Sequence, residues 1–262
     1  MYIDSHCHLT DPRLKNVLHE SIESALGKKI CYFLNAGYSP ADLDDQLKLK
    51  IQYENIFTSF GIHPYWVHSL KDRKDNIVES LEKMDSQRKI YDFIGEIGID
   101  GREQFQRSIK LQEEIFSLAL DQAITINKPI ILHIVRSHAK AIEILKSKKT
   151  TLKGMVHAFN GSIEIANEYL DLGLKLSIGA AATVEKNKKL VDSIRKLDLS
   201  HLLLESDSPD SPPRNFPFPQ NRPESILLVA ESVGKIKGIK PQTVLSQCTE
   251  NFSNSFFKIG EL

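Results

Sequence analysis

Residues 3–10 read IDSHCHLT, an apolar start that ends in an aspartate and two histidines one residue apart. On a strand, side chains at i and i+2 point to the same side, so His6 and His8 present two imidazoles together while Cys7 faces away. Such a pair alone reads equally well as two polar residues at a strand end. The rest of the chain supplies matching groups. Asp4 precedes the pair, His63 lies in GIHP, Glu96 in GEIGID, His133 in PIILH, His157 in VHAF and Asp207 in LLLESDSP. A charged or imidazole group inside an apolar run is costly unless it is paired or holds a metal. For any single one, a satisfied core histidine or a capping aspartate is explanation enough; convergence of the set on one rim is not explained that way. Four imidazoles and two carboxylates from such a set suit zinc, manganese or, with waters, magnesium. They are too many for one tetrahedral zinc and fit two divalent metal ions sharing a carboxylate. Two ions about 3.5–4 Å apart can grip the attacking and leaving oxygens of a phosphoryl displacement and generate hydroxide from bound water near neutral pH.

Convergence requires elements that bring distant residues to one rim. Strand-like runs are expected at 1–6, 30–36, 56–62, 92–99, 129–135, 154–159, 174–179 and 201–206. Helix-like stretches separate them, clearest at 103–127, where apolar residues recur at helical spacing. Eight βα units fit the 262-residue chain and predict an α/β fold, a TIM (β/α)8 barrel, regular or distorted, as a single domain over 1–262. In that fold the C-terminal strand ends line the active-site mouth, where these polar residues fall. A doubly wound sheet is the alternative, but SHCHLTDP stands where that fold puts a glycine-rich phosphate turn.

Taken in order, IDSHCHL, GIHP, GEIGID, PIILH, VHAFNGS and LLLESDSP resemble the motifs of the TatD family of metal-dependent deoxyribonucleases, within the amidohydrolase-like superfamily. NRPES at 221–225 is similar to a late motif of some members. The resemblance implies that His6 and His8 hold one metal with Asp207, that His133 and His157 hold the second, and that Glu96 bridges. It also places the general base at Asp207. The substrate it implies is DNA, as a single strand trimmed from its 3′ end. His63, Arg136, His138 and Arg222 are candidate substrate contacts. Two departures stand out: Val135 replaces an arginine common in the family, with Arg136 following, and Ser206 replaces a threonine.

Lys+Arg 34 balance Asp+Glu 34 and the pI is near 7.1, so no whole-protein basic field is present. Local cations must serve any polyanion. KSKKTTLK (146–153) is expected on the far face of the barrel, away from the metals. EKNKK (185–189) is expected near the mouth, as phosphate contacts or as a solvated loop. The stretch 208–224, with Arg214, Phe216, Phe218 and Arg222, fits either a grip on a flexible strand or a plug over the rim. Tyr65 and Trp66 are expected to pack. Three scattered cysteines and no long apolar run predict a soluble cytoplasmic protein with reduced thiols, and no protein partner is indicated beyond a monomer. Two rivals remain: a related metal hydrolase of a small amide, lactone or phosphoester, and a non-catalytic binding scaffold with a structural metal.

Overall fold

The computed structural model describes residues 1–71 and 74–257. Its strands are β1 (Tyr2–Cys7), β2 (Ile30–Asn35), β3 (Ile56–Phe60), β4 (Phe93–Asp100), β5 (Ile130–Val135), β6 (Gly154–Val156), β7 (Leu174–Ile178) and β8 (Leu202–Leu204). They form one parallel sheet in chain order, a nearly closed TIM barrel. Helices α1 (Leu18–Gly27), α2 (Asp42–Gln52), α3 (Pro64–Ser69), α4 (Lys74–Ser86) and α5 (Ile109–Ile126) return the chain in the first half. In the second half α6 (His138–Ser147), α7 (Ile163–Asp171), α8 (Lys188–Lys196), α9 (Ile226–Lys237) and α10 (Pro241–Ser255) do the same.

The expected strands all form, but β6 and β8 stop short of 159 and 206. The left-handed backbone of Ala158 (φ 46°) and Asp207 (φ 57°) turns the chain out of the ladder at the mouth. The segment expected as one helix over 103–127 opens as a 3-10 turn, Glu103–Ser108, before α5. Phe105 in that turn stacks on Tyr65 at 4.5 Å and on the edge of His68, which draws the segment over the mouth.

The barrel interior is filled from below. Ile3, Leu34, Phe57, Ile131, Met155 and Leu203 pack against Phe252 of α10 and Phe256, which caps it. Phe252 lies 5.4 Å from Phe57, and Phe256 5.3 Å from Phe93, between ring centroids. Full burial of a phenylalanine contributes roughly 1.5–3 kcal/mol, so this stopper is a large apolar contribution at one end. Two residues further along three of these strands, the same face presents His133 above Ile131, His157 above Met155 and Glu205 above Leu203. The polar site is therefore the next layer of the same interior. Gly98 makes one register possible: β4 passes so close to β5 that a Cβ there would meet the His133 carbonyl oxygen at 2.0 Å. In β1, the pairing with β2 shifts between Asp4 and Cys7, an irregularity of the kind that re-aims side chains at active sites.

The seam between β1 and β8 is closed mostly by individual bonds. Ser5 Oγ donates to the Leu204 carbonyl at 2.8 Å, Asp207 N to the His6 carbonyl at 3.0 Å, and His8 N to the Ser208 carbonyl at 2.7 Å. Between them the buried Asp4 accepts from Ser206 N at 2.9 Å and His6 N at 3.3 Å through one oxygen, and its other oxygen meets Ser206 Oγ. Burial pushes the Asp4 carboxyl up to about 8 against the lowering effect of these bonds. A neutral amide can reproduce this pattern, whereas removal leaves buried N–H groups unpaired. We expect Asp4→Ala to cost about 2–3 kcal/mol and Asp4→Asn under about 1 kcal/mol, read by urea unfolding at pH 7.

Candidate metal centre

Glu96 is 1% exposed and lies at the centre of the mouth. Its two oxygens face different groups. Oε1 lies 3.4 Å from His8 Nε2 and 3.8 Å from His6 Nε2. Asp207 Oδ1 completes that side at 3.6 Å from His8 Nε2 and 3.8 Å from His6 Nε2. Oε2 lies 2.8 Å from His157 Nε2 and 3.3 Å from His133 Nδ1, with His63 Nε2 at 3.8 Å. The six residues expected to ligate metal thus converge, in two groups divided by one carboxylate.

The outer hydrogen bonds decide which ring nitrogens are free. His8 Nδ1 donates to the Ala36 carbonyl at 3.1 Å, and His133 Nε2 donates to Asp100 Oδ2 at 3.2 Å. Each ring therefore turns a lone pair into the site. Among the described residues, His6 is buried with neither nitrogen hydrogen-bonded, and His157 Nδ1 likewise has no hydrogen-bond partner. Orphaned buried nitrogens around a carboxylate fit divalent cations, and the N/O donor set suits zinc or manganese. His63 differs. Tyr65 N donates to its Nδ1 at 3.0 Å, so the ring proton sits on Nε2 and makes that atom a donor rather than a ligand.

Without a cation the site holds protons instead. Burial opposes a charge on His8, but Asp207 and Glu96 raise it to about 9. Burial likewise opposes His157, which Glu96 and Glu205 hold well above the usual histidine range. Burial and the neighbouring His157 push His6 far down. Burial alone would raise the two carboxyls, yet His157, His63 and His6 keep Glu96 well below its ordinary range, and His8 holds Asp207 at about 2.

The mouth opens into two lobes of about 460 and 390 Å³ that share His8, His63, Tyr65, Glu96 and Asp210. Such volumes match clefts for small ligands, roughly 300–1,000 Å³. Residues 3–257 match the family model for TatD-related DNases. The chain belongs to the TatD family. It is similar to the uncharacterised metal-dependent hydrolase YjjV of Escherichia coli K12, 29% identical with 98% of each chain covered. An uncharacterised metal-dependent hydrolase of Methanocaldococcus jannaschii is 33% identical, covering 98% of this chain and 97% of its own. The crystal structure of YjjV superposes with a TM-score of 0.87 at 27% identity, covering 97% of both chains. This TatD-family protein is accordingly a metal-dependent hydrolase.

The expected substrate contacts separate. His63 and Tyr65 line both lobes, so Tyr65 does more than pack, although it also stacks on Phe105. Arg136 is exposed and follows Val135, which lines the second lobe. His138 is half-buried, bonded to Tyr169 Oη at 2.9 Å, and outside the walls of both lobes. Arg222 corrects the expectation: it is 7% exposed, donates to Glu20 Oε1 at 2.7 Å, and lies 3.7 Å from the centre of the Phe218 ring. A guanidinium committed to a carboxylate and a ring is a brace between α1 and the loop after β8, not a wall of the cleft. Phe216 packs on Phe218 in the same loop, and neither ring lines the lobes.

Two buried carboxylates escaped the sequence reading. Asp100, fully buried, receives the Arg102 guanidinium, with Nη2 at 2.7 Å, and orients His133 from behind. Glu205 Oε1 accepts from Ala158 N at 2.6 Å and lies 3.7 Å from His157 Nδ1. It fixes both the turn after His157 and the face of its ring. We expect Glu205→Ala to weaken divalent-metal affinity 10–100-fold, measured by chelator competition, with the circular-dichroism spectrum retained. Because His8 and His157 carry protons at pH 7 in the metal-free protein, loading must displace them. Calorimetry in buffers of different ionisation enthalpy is expected to show about two protons released, with affinity rising from pH 6 to pH 8. The metal-free protein has the opposite dependence: the stability His8 contributes is full below the ordinary histidine range and lost as pH rises through about 9.

Proposed function

We propose that this hydrolase cleaves DNA phosphodiester bonds, trimming single strands from the 3′ end, with two divalent cations divided by Glu96. The observation that carries the reading is the division itself: one Glu96 oxygen faces His6 and His8 and the other faces His133 and His157. When bound, two such ions supply Lewis acidity and lower the pKa of water beside a phosphate. Asp207, ionised because its carboxyl is held near 2, accepts the proton of the attacking water. His63, donating from Nε2, can hold a non-bridging phosphate oxygen at the junction of the two lobes. The water oxygen bonds to phosphorus, the bond to the preceding nucleotide's 3′ oxygen breaks, and that oxygen takes up a proton. Three unbridged cysteines suit the reducing cytoplasm, and no helix among the described residues is long and apolar enough to cross a membrane.

One observation favours a second reading. The guanidiniums that line the two lobes, Arg13 and Arg102, are both held by carboxylates, Asp11 with Asp210 and Asp100 respectively. A cleft with its arginines neutralised also admits a small uncharged amide or lactone. An end-labelled single-stranded oligonucleotide separates the two. Metal-stripped protein resupplied with Mg²⁺, Mn²⁺ or Zn²⁺ is expected to give a ladder shortening from the 3′ end, slowed at least about a hundredfold by Glu96→Ala. An intact oligonucleotide beside turnover of a small lactone or amide refutes the nuclease reading.

A further inference from the structure

The charges around the mouth are sorted to opposite sides. In the first lobe Asp11, Asp42 and Asp210 face a single guanidinium, and Arg13 is already bonded to Asp11 and Asp210 at 2.7–2.9 Å. Asp42 opens α2 and accepts from Tyr38 N and Ser39 N at 2.8 Å, so its charge is fixed in place. Beside these carboxylates stand neutral groups: the hydroxyl of Thr10 and the rings of Tyr38 and Tyr65. Tyr38 is 40% exposed and stacks on His63.

The opposite side carries free cations. Val135 and Ala158 line the second lobe. Arg136 follows the first of them. Two residues beyond Ala158, Asn160 accepts from Asn187 Nδ2 at 2.9 Å, which ties the loops after β6 and β7 together. Asn187 stands between Lys186 and Lys188, with Lys189 next, close enough to His138 to reinforce the lowering that burial causes there. Arg136, Lys186, Lys188 and Lys189 are exposed and have no ion pair among the described residues. Glu185, the acid beside them, is taken up by Lys235 at 2.7 Å.

A polyanion and a polymer end ask for different surroundings. Phosphates favour unpaired cations, and exposed bases favour aromatic faces. A terminal nucleoside with a free hydroxyl tolerates carboxylates as hydrogen-bond acceptors, whereas a terminal phosphate brings about two further negative charges against them. We infer, resting on the DNA reading above, that the strand's phosphates run over the cations of the loops after β5 and β7 while the 3′-hydroxyl nucleoside occupies the carboxylate lobe, which rejects a 3′-phosphate. The same sorting gives an exonuclease its direction. The strand leaves toward Lys186–Lys189, and the lobe of about 460 Å³ closed by Arg13 and Asp210 holds one residue.

The test is fluorescence anisotropy of the metal-loaded protein with phosphorothioate-linked 12-mers, which resist cleavage. Their ends are a 3′-hydroxyl, a 3′-phosphate or a 5′-phosphate. Binding of the 3′-phosphate form is expected to be at least tenfold weaker than the 3′-hydroxyl form, with the 5′-phosphate tolerated. Asp210→Asn, at an exposed position, is expected to narrow that gap by freeing Arg13. Lys186→Glu with Lys189→Glu is expected to weaken all three at least tenfold and flatten the salt dependence by about 1.4 in log–log slope. Acidic residues at the start of α8 suit the helix terminus, so this variant should fold. Turnover of bis(p-nitrophenyl) phosphate by the unaltered protein reads the catalytic centre separately. Equal binding of 3′-hydroxyl and 3′-phosphate ends, rejection of the 5′-phosphate instead, or unchanged binding on charge reversal overturns the inference. Absence of all phosphodiester turnover overturns the nuclease reading alone, because anisotropy still decides the surface.

Discussion

A buried carboxylate surrounded by imidazoles sets the terms for everything above it in the barrel. Glu96 is almost inaccessible, and His6, His8, His63, His133 and His157 all approach it. An isolated ionised carboxylate in such a place is prohibitively costly, so positive charge must accompany it. Protons on His8 and His157 are one source and divalent ions are the other. Competition between them makes the site a cation trap with a built-in pH dependence. The outer bonds from Asp100, Ala36 and the backbone amide of Tyr65 then leave some rings able to ligate and make another a donor.

The barrel meets this demand by alternation. Strands that bury Ile131, Met155 and Leu203 in the lower interior present His133, His157 and Glu205 one step higher. The apolar layer below, stoppered by Phe252 and Phe256, leaves no solvent from that side to solvate the carboxylates. The site is held by short strands whose ladders end just where the candidate ligands begin, and left-handed turns at Ala158 and Asp207 aim the last residues across the opening. Close passage of β4 at Gly98 serves the same end, fixing His133 against the strand that carries Glu96.

Much of this was legible because the chemistry interrupts apolar runs. Eight buried segments spaced by helical stretches announce the barrel, and the six histidine and carboxylate positions stand out against Ile, Leu and Val. Glu205 was equally visible in LLLESDSP, since it shares the strand face of Leu203 and Asp207. The motif alone does not separate it from Asp207, the residue that the family resemblance assigns to the metal. Asp100 closes GEIGID in the same way. Arg222 failed for a different reason: cations and aromatics in a loop specify neither direction nor partner. Only the folded chain shows that Arg222 turns to Glu20 and Phe218. The split of 103–127 into a 3-10 turn and α5 was likewise hidden, because the helical periodicity is continuous while the Tyr65–Phe105 stack is tertiary.

Net charge turned out to be the least informative quantity. An even balance of 34 basic and 34 acidic residues excludes a general basic field, yet it says nothing of how charges are arranged around one opening. At ionic strengths where screening acts over about 10 Å, the field a substrate meets is set by a handful of groups at the rim. There, Asp11 and Asp42 stand on one side with Asp210 at the junction of the two lobes, while on the other Arg136 and the lysines after β7 have no ion pair among the described residues. In the proposed reading, a neutral protein holds a polyanion and still refuses it at one end. In that reading, Arg13, locked by carboxylates in the first lobe, marks where phosphate is refused, and the lysines with no ion pair among the described residues mark where it runs.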